Sequence, residues 1–331
     1  MTKPVKLVAK ADGLREGLFG QVFLYVFEIL PYLERNQIFP EWDIHAKYYG
    51  GEARSIIPGV LDLAYSPLPG TRCISLQTLR KRRCSQLGND WPALHRLWSS
   101  FFKTPTSIER EADAIGPLKG ALGIHFRGTD KQTATWDTNP VSASDMIEIV
   151  LDFRRRRPDL QTVFLATDDR TFAGKLRERL ECEILNLGEV PFHKADDGSK
   201  DLNGAKRALL DSVLLSRCGA VLNTSSALSA FAKVLNPELE IYRCAASKQF
   251  SDVPYFPVAY IESYTTIDSR IAKIVEHLME GDWSHKAPPV AKFRSRTRFP
   301  RTELKWDILE RVLGSPMRQR SVHHHVGQLA R

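Results

Sequence analysis

The middle of the chain alternates short apolar runs with longer amphipathic segments. Five runs have the length and character of β-strands: 121–126, 162–167, 182–187, 220–223 and 239–244. Helical patterns follow the first four of them, at 142–156, 171–181, 204–217 and 226–235. Alternating strands and helices are typical of β-α-β units on a parallel sheet, and strands that are apolar nearly throughout are buried on both faces. The pattern therefore predicts an α/β fold.

The first third of the chain is less regular. Its predicted elements are a strand at 7–10, a glycine-rich loop at 13–20, a helix at 21–35 and a strand at 37–44. This order resembles the start of a second, less regular α/β domain.

Pro, Gly and charged residues cluster between Thr104 and Lys119, which favours a joint between two domains. We expect an N-terminal α/β domain at 1–115, a Rossmann-like domain at 116–262, and C-terminal helices with a basic tail at 263–331. Helical spacing predicts the two helices of the last region, at 265–279 and 303–313.

The apolar share of 43% excludes disorder over most of the 331 residues. The net charge of +8 is concentrated in residues 285–331, which carry eleven Lys or Arg against three Asp or Glu. Because the rest of the chain is neutral, a nucleic-acid-binding surface is not expected. The tail fits peripheral contact with an anionic membrane surface, or a solvated segment that binds nothing.

The five cysteines are scattered and form no C-x-x-C pair. This distribution argues against a disulfide framework or a zinc site and favours a reducing compartment. The first residues contain no apolar signal segment, and no apolar run is long enough to span a bilayer. We therefore expect a soluble cytoplasmic protein without a bound metal.

Polar residues follow the predicted strands at the point where each strand ends. They are Arg127 to Lys131 after the first strand, Asp168 and Asp169 after the second, and Thr224 to Ser226 after the fourth. Ligands of open parallel sheets bind beyond the carboxyl ends of the strands. The sequence therefore predicts a ligand site at these three turns.

Each of these groups also has an ordinary structural interpretation. Arg127 can hold a phosphate through two parallel hydrogen bonds, or form a surface ion pair with Asp130. Gly128 either lets the backbone approach a ligand or serves a turn. The hydroxyl groups of 224–226 can bind an anion at a helix N-terminus, or can simply cap that helix.

Two further residues stand out within apolar elements. Asp211 lies in a helical segment that is apolar on nearly all sides, between Leu214 and Leu215 on a helical wheel. A buried carboxylate needs a partner, which can be a structural His or Arg or a ligand amide or amine. His125 lies inside its strand, where it is either a core histidine or a ligand contact.

Four segments, in order, resemble GDP-fucose-dependent fucosyltransferases, a group that includes α-1,6, α-1,2 and protein-O-fucosyltransferases and a bacterial nodulation enzyme. They are GIHFRGTDK at 123–131, FLATDD at 164–169, ALLDSVLLSRC at 208–218 and NTSSALS at 223–229. Residues 13–30 are similar to the loop and first helix of these enzymes. The resemblance implies a GT-B-like fold, two Rossmann-like domains with a central cleft, and a metal-independent, inverting transfer from a GDP-sugar.

The same resemblance implies roles in donor binding. Arg127 would hold the β-phosphate, and His125 and Asp211 would contact the guanine. The other implied donor-side residues are Gly128, Asp130, Lys131, Asp168, Asp169, Thr224, Ser225 and Ser226. The implied partners are a GDP-sugar and a glycan or other hydroxyl acceptor, with no cofactor besides the donor.

Two positions depart from the family pattern. Gly128 stands where the family has a second arginine, so another cation, with Lys131 as the candidate, would face the diphosphate. Thr135 stands where the α-1,6 enzymes have a glutamate. A carboxylate that accepts the acceptor's proton is then either Glu16, which we favour because the first domain should present the acceptor, or Asp137. These departures leave a catalytically silent GDP-sugar-binding protein as the alternative.

Overall fold

A computed structural model describes residues 5–9, 17–51, 53–70, 72–81, 89–128, 140–187, 202–244 and 261–264. Contacts divide the chain into two compact units. The first unit comprises the described residues up to Leu118, together with 202–217 and 227–239. The second unit comprises the described residues of 119–187, 218–226 and those from 240 onward. The predicted helices at 265–279 and 303–313 and the basic tail lie outside the described residues.

The described elements alternate as the apolar pattern predicts. The strands are β1 Val5–Ala9, β2 Glu41–Ile44, β3 Asp62–Leu63, β4 Arg72–Ser75, β5 Phe102–Lys103, β6 Ala121–Phe126, β7 Thr162–Thr167, β8 Ile184–Leu185, β9 Ala220–Asn223, β10 Glu240–Cys244 and β11 Glu262–Tyr264. The helices are α1 Leu24–Arg35, α2 Leu76–Lys81, α3 Trp91–Ser99, α4 Thr106–Ile115, α5 Ala143–Arg156, α6 Arg170–Arg179, α7 Leu202–Arg217 and α8 Ala227–Leu235, with a π-helical turn at Leu18–Phe23 before α1.

The first unit contains a three-stranded parallel sheet in the order β2-β1-β4 and an antiparallel pair, β3-β5. Alternate residues of β1 are buried, so one face of this strand packs on the core. Aromatic rings form much of that core, with Phe27 stacked on Trp98 at a centroid distance of 4.7 Å. Helices α7 and α8 also belong to this unit, and the Ser212 hydroxyl joins them by donating to the Leu228 carbonyl at 3.0 Å.

The second unit contains a six-stranded, fully parallel sheet in the order β11-β10-β9-β6-β7-β8. The chain runs outward from β6 to β8, returns to place β9 beside β6, and continues outward to β11. This is the doubly wound Rossmann order, and its switch point lies between β6 and β9. Every residue of β6 is buried, and the predicted α/β class, with Rossmann-like parallel sheets, is confirmed.

Some predicted elements are corrected by the structure. The predicted strand at 182–187 is a strand only over Ile184–Leu185, and the one at 37–44 begins at Glu41, after Gln37 with a φ of 50° and Pro40. The predicted joint at 104–119 contains α4, whose buried residues are Ile108 and Ala112, and the first segment of the first unit ends within that joint, at Leu118. Most of the other positions of this helix are polar and lie outside the core, so the segment resembles a linker in sequence.

The sequence pattern missed the strands β3, β4, β5 and β11, because runs of two to four residues carry almost no periodicity. It also missed the helices α2 and α3. The predicted domain boundaries stay a prediction. In the described part of the chain, none of the helices combines the length and apolar character that a bilayer crossing requires.

Candidate functional site

At the switch point of the six-stranded sheet, two hydrogen bonds donated by backbone N–H groups connect the end of β6 with the turn after β9. Arg127, which follows β6, donates its N–H to the Thr224 hydroxyl at 3.1 Å, and Thr224, which follows β9, donates its N–H to the His125 carbonyl at 3.0 Å. The structure therefore brings together two turns that are almost a hundred residues apart in sequence. Ligands of doubly wound sheets bind at this edge.

Arg127 is oriented by a carboxylate from the neighbouring strand. Its Nε lies 3.5 Å from Oδ2 of Asp168, whose side chain is only 5% exposed. The other carboxylate oxygen of Asp168 accepts the Gly128 N–H at 3.0 Å. Asp168 thus forms an ion pair with the guanidinium and holds the backbone of the β6 turn through a hydrogen bond. The sequence offered Asp130 for the ion pair, but Asp130 lies outside the described residues.

Asp169 has a local structural role at the start of α6. Its Oδ1 accepts the Phe172 N–H at 2.9 Å, which makes it the N-cap of that helix. A Cβ atom on Gly128 would lie 2.3 Å from Asp169 Oδ2 and 2.8 Å from a ring carbon of Phe126. Gly128 therefore lets the β6 turn approach the capped end of α6, and an arginine at that position would not fit this packing.

The hydroxyl-rich turn after β9 is buried. Thr224, Ser225 and Ser226 are 4%, 6% and 5% exposed, and the turn leads directly into α8. Backbone N–H groups at a helix N-terminus carry partial positive charge and bind anions. Because the Arg127 backbone N–H is bonded to the Thr224 hydroxyl, the turn that carries Arg127 lies beside the hydroxyl-rich turn, an arrangement that suits a phosphate group.

A buried polar row crosses the same end of the sheet. His125 of β6 is in register with Asn223 of β9, and Asn223 is in register with Arg243 of β10. All three are at most 6% exposed. The sequence analysis missed Asn223 and Arg243, because each sits within an apolar run. The sequence carried no separate signal for them, because only the register between the strands places these polar residues on one face.

Asp211 lies in α7 of the first unit and is 3% exposed. Arg207, one helical turn earlier, approaches its Oδ1 with Nε at 3.9 Å. Burial raises the pKa of Asp211 to about 7, and the charge of Arg207 opposes that rise. Of the two kinds of partner that the sequence left open, the structure thus supplies an arginine, at a distance too long for a strong hydrogen bond.

The remaining predicted site residues lie outside the described residues. They are Glu16, Asp130, Lys131 and Asp137. Within the described ranges, no three His, Cys, Asp or Glu side chains come together as a group of metal ligands.

The sequence matches no protein-family model and no curated protein. In structure, it is similar to NodZ α-1,6-fucosyltransferase, from a crystal soaked with GDP-fucose, with a TM-score of 0.45 and 14% identity over 78% of this chain and 97% of that one. It is similar to POFUT1 in complex with GDP, with a TM-score of 0.43 and 10% identity over 73% of this chain and 98% of that one. It is also similar to E. coli ADP-heptose LPS heptosyltransferase II, with a TM-score of 0.37 and 10% identity over 76% of this chain and 87% of that one.

These structural neighbours are glycosyltransferases, and their identities to this chain are 14% or lower. Since likeness at that level is distant, the chemistry must be argued from the residues of this chain.

Proposed function

We propose that this protein is an inverting glycosyltransferase that moves fucose, or a related sugar, from a GDP-sugar to a hydroxyl group, most simply on a glycan. The observation that carries the proposal is the hydrogen-bonded junction of Arg127 and Thr224 at the switch point of the sheet. The two segments that meet there are among those that resemble the donor-binding segments of GDP-fucose-dependent enzymes.

In the proposed reaction, an acceptor oxygen forms a bond to the anomeric carbon while the bond from that carbon to the β-phosphate oxygen breaks. Negative charge grows on the departing GDP, and Arg127 stabilises it. Asp168 holds this guanidinium in place before the donor arrives, and preorganised charge of this kind is usually the largest catalytic contribution. The acceptor's proton passes to a carboxylate, for which we propose Glu16, with Asp137 as the alternative.

Base selectivity in this proposal comes from His125 and Asp211. The guanine ring offers an N–H and an amino group side by side, and a carboxylate accepts both. Uracil lacks that pair of donors. Ionisation of Asp211 is costly in the free protein, because burial raises its pKa. Two ligand N–H donors would relieve that cost and favour guanine over other bases.

The first test is a donor panel followed by a charge-conserving substitution. Among GDP, UDP and ADP, only GDP should raise the unfolding temperature strongly, because a ligand that binds the native state stabilises it. With GDP-fucose and a glycan acceptor, Arg127→Lys should lower kcat by on the order of 10²-fold. Arg157→Lys is the matched control, since Arg157 pairs with Asp159 and Glu240 at the start of β10. Near-normal turnover by Arg127→Lys would refute the role of Arg127.

A catalytically silent GDP-sugar-binding protein is the second candidate, and one observation favours it. The packing of Gly128 against Asp169 excludes a second arginine from the β6 turn, which removes one source of positive charge for the leaving group. Calorimetry that shows GDP binding, together with no sugar transfer and no donor hydrolysis, would support this candidate over the enzyme.

A further inference from the structure

Thr224 makes three hydrogen bonds to the end of β6. Its N–H donates to the His125 carbonyl at 3.0 Å, and its hydroxyl donates to the same carbonyl at 3.5 Å. The hydroxyl also accepts the Arg127 N–H at 3.1 Å. In a regular parallel ladder this N–H would donate to a backbone carbonyl of the neighbouring strand, but the chain turns into α8 after Thr224. The side-chain oxygen thus replaces the backbone as the acceptor of the Arg127 N–H.

These bonds use both polar hydrogens of Thr224. A threonine has one hydrogen on its amide and one on its hydroxyl, and here both are donated to the His125 carbonyl. Phosphate oxygens accept hydrogen bonds, so a diphosphate could be held by Thr224 only if one of these bonds broke. Thr224 is also just 4% exposed. Its geometry is that of a residue that holds the backbone rather than a ligand.

The β6 turn is held from both sides of the strand. The Arg127 N–H is bonded to Thr224, and the next N–H along the chain, that of Gly128, is bonded to Asp168 Oδ1 at 3.0 Å. Thr224 follows β9 and Asp168 follows β7, the two neighbours of β6 in the sheet. Asp168 also contacts the Arg127 guanidinium, whereas these bonds of Thr224 reach the backbone from which that side chain projects.

Resting on the proposed function, we infer that Thr224 is a positioning residue, which fixes the Arg127 backbone and thereby the place where the guanidinium meets the diphosphate of the donor. Misplacing such a group by about 1 Å can cost on the order of 10²-fold in rate. Threonine suits this role because its β-branched side chain has restricted χ1 freedom, which holds the hydroxyl in place. Thr224 therefore contributes to donor binding without touching the donor.

A double-mutant cycle on GDP affinity, measured by calorimetry, tests this role and requires no acceptor. Thr224→Val removes the hydroxyl and keeps the branched shape. It should weaken GDP binding by on the order of 10-fold, because a misplaced guanidinium loses hydrogen bonds to the charged phosphate. In the Arg127→Met background, Thr224→Val should weaken binding further by less than about twofold, since the group that it positions is gone. Thr224→Ser keeps a hydroxyl and should retain most of the affinity.

Asp90→Ala is the matched control. The Asp90 carboxylate accepts the Ala93 N–H at 3.0 Å and caps α3 in the first unit. This variant therefore loses a side-chain acceptor of one backbone N–H, as Thr224→Val does, and should lose a comparable amount of stability. Its GDP affinity should equal that of the wild type, which separates the positioning role from general destabilisation.

Three outcomes would overturn the inference. The first is wild-type GDP affinity in folded Thr224→Val, and the second is a loss in Thr224→Ser as large as that in Thr224→Val. The third is an equal fold-loss with and without Arg127→Met, which would show that Thr224 acts on the donor independently of Arg127.

If Thr224→Val does not fold, amide hydrogen exchange in the wild-type protein decides. Slow exchange of the Arg127 N–H supports the inference, and exchange at the rate of an exposed amide overturns it. Failure of the proposed function would look different, because the wild-type protein itself would then bind no GDP.

Discussion

Asp211 gives the sharpest test of the structure's energetics, because it is a carboxyl group buried in an apolar helix. Burial raises its pKa from 3.8 to about 7, despite the charge of Arg207. Between these two values the folded protein holds a proton that the unfolded chain has released. The contribution of Asp211 to stability is therefore fully present at low pH and falls as the pH rises toward the folded-state pKa.

The size of this effect follows from the pKa shift. From pH 5 to pH 7 the unfolded carboxyl group is ionised, whereas the folded one is protonated at pH 5 and about half ionised at pH 7. Each pH unit in this window costs at most about 1.4 kcal/mol, so the wild-type protein should lose about 2–3 kcal/mol of stability through this group between pH 5 and pH 8. Asp211→Asn cannot ionise, so this loss should be absent from the variant.

Urea unfolding of both proteins at pH 5, 6, 7 and 8 measures the difference. The wild-type curve should fall relative to that of Asp211→Asn by about 2–3 kcal/mol and level off above pH 7. Glu148→Gln is the control, because Glu148 and its partner Arg179 are more than half exposed and such pairs contribute at most about 1 kcal/mol. Parallel curves for wild type and Asp211→Asn would show that Asp211 is not buried as the structure has it.

Two smaller predictions concern the turn after β6 and the start of α6. Gly128→Ala places a methyl group in contact with Asp169 and Phe126. Because this overpacks the site, it should destabilise the protein by about 1–3 kcal/mol in thermal unfolding. An unchanged unfolding temperature would contradict the close approach of the β6 turn to Asp169. Asp169→Ala removes the cap of α6 and should cost about 1 kcal/mol; a loss of GDP binding without a loss of stability would instead assign Asp169 to the ligand.

The central strands could be predicted from sequence because both of their faces are buried. The predicted runs at 121–126, 162–167 and 220–223 match β6, β7 and β9 residue for residue. Burial on both faces requires continuous apolar character, and such a run has clear ends where polar residues begin. The same polar ends identified Arg127 and Thr224, since a parallel sheet places the ends of its strands along one edge.

The contacts made by these residues could not be predicted in the same way. Asp168 orients Arg127 only because β7 lies beside β6, and Gly128 meets Asp169 only because α6 starts where it does. Strand order and helix position are set by packing across the whole unit. The sequence therefore placed Asp168 and Asp169 near a ligand, and the structure shows that Asp169 caps a helix.

Arg243 shows a further reason why the buried polar row at the end of the sheet is difficult to predict from sequence. In a strand with one exposed face, a charged residue marks the solvent side, and alternation shows where each residue lies. In β10 Arg243 stands between Tyr242 and Cys244, all of them buried, so the charge is no guide to exposure. Only the register from β10 through β9 to β6 shows that Arg243, Asn223 and His125 share one face. The row of three buried polar side chains therefore follows from the strand order, which the sequence does not show.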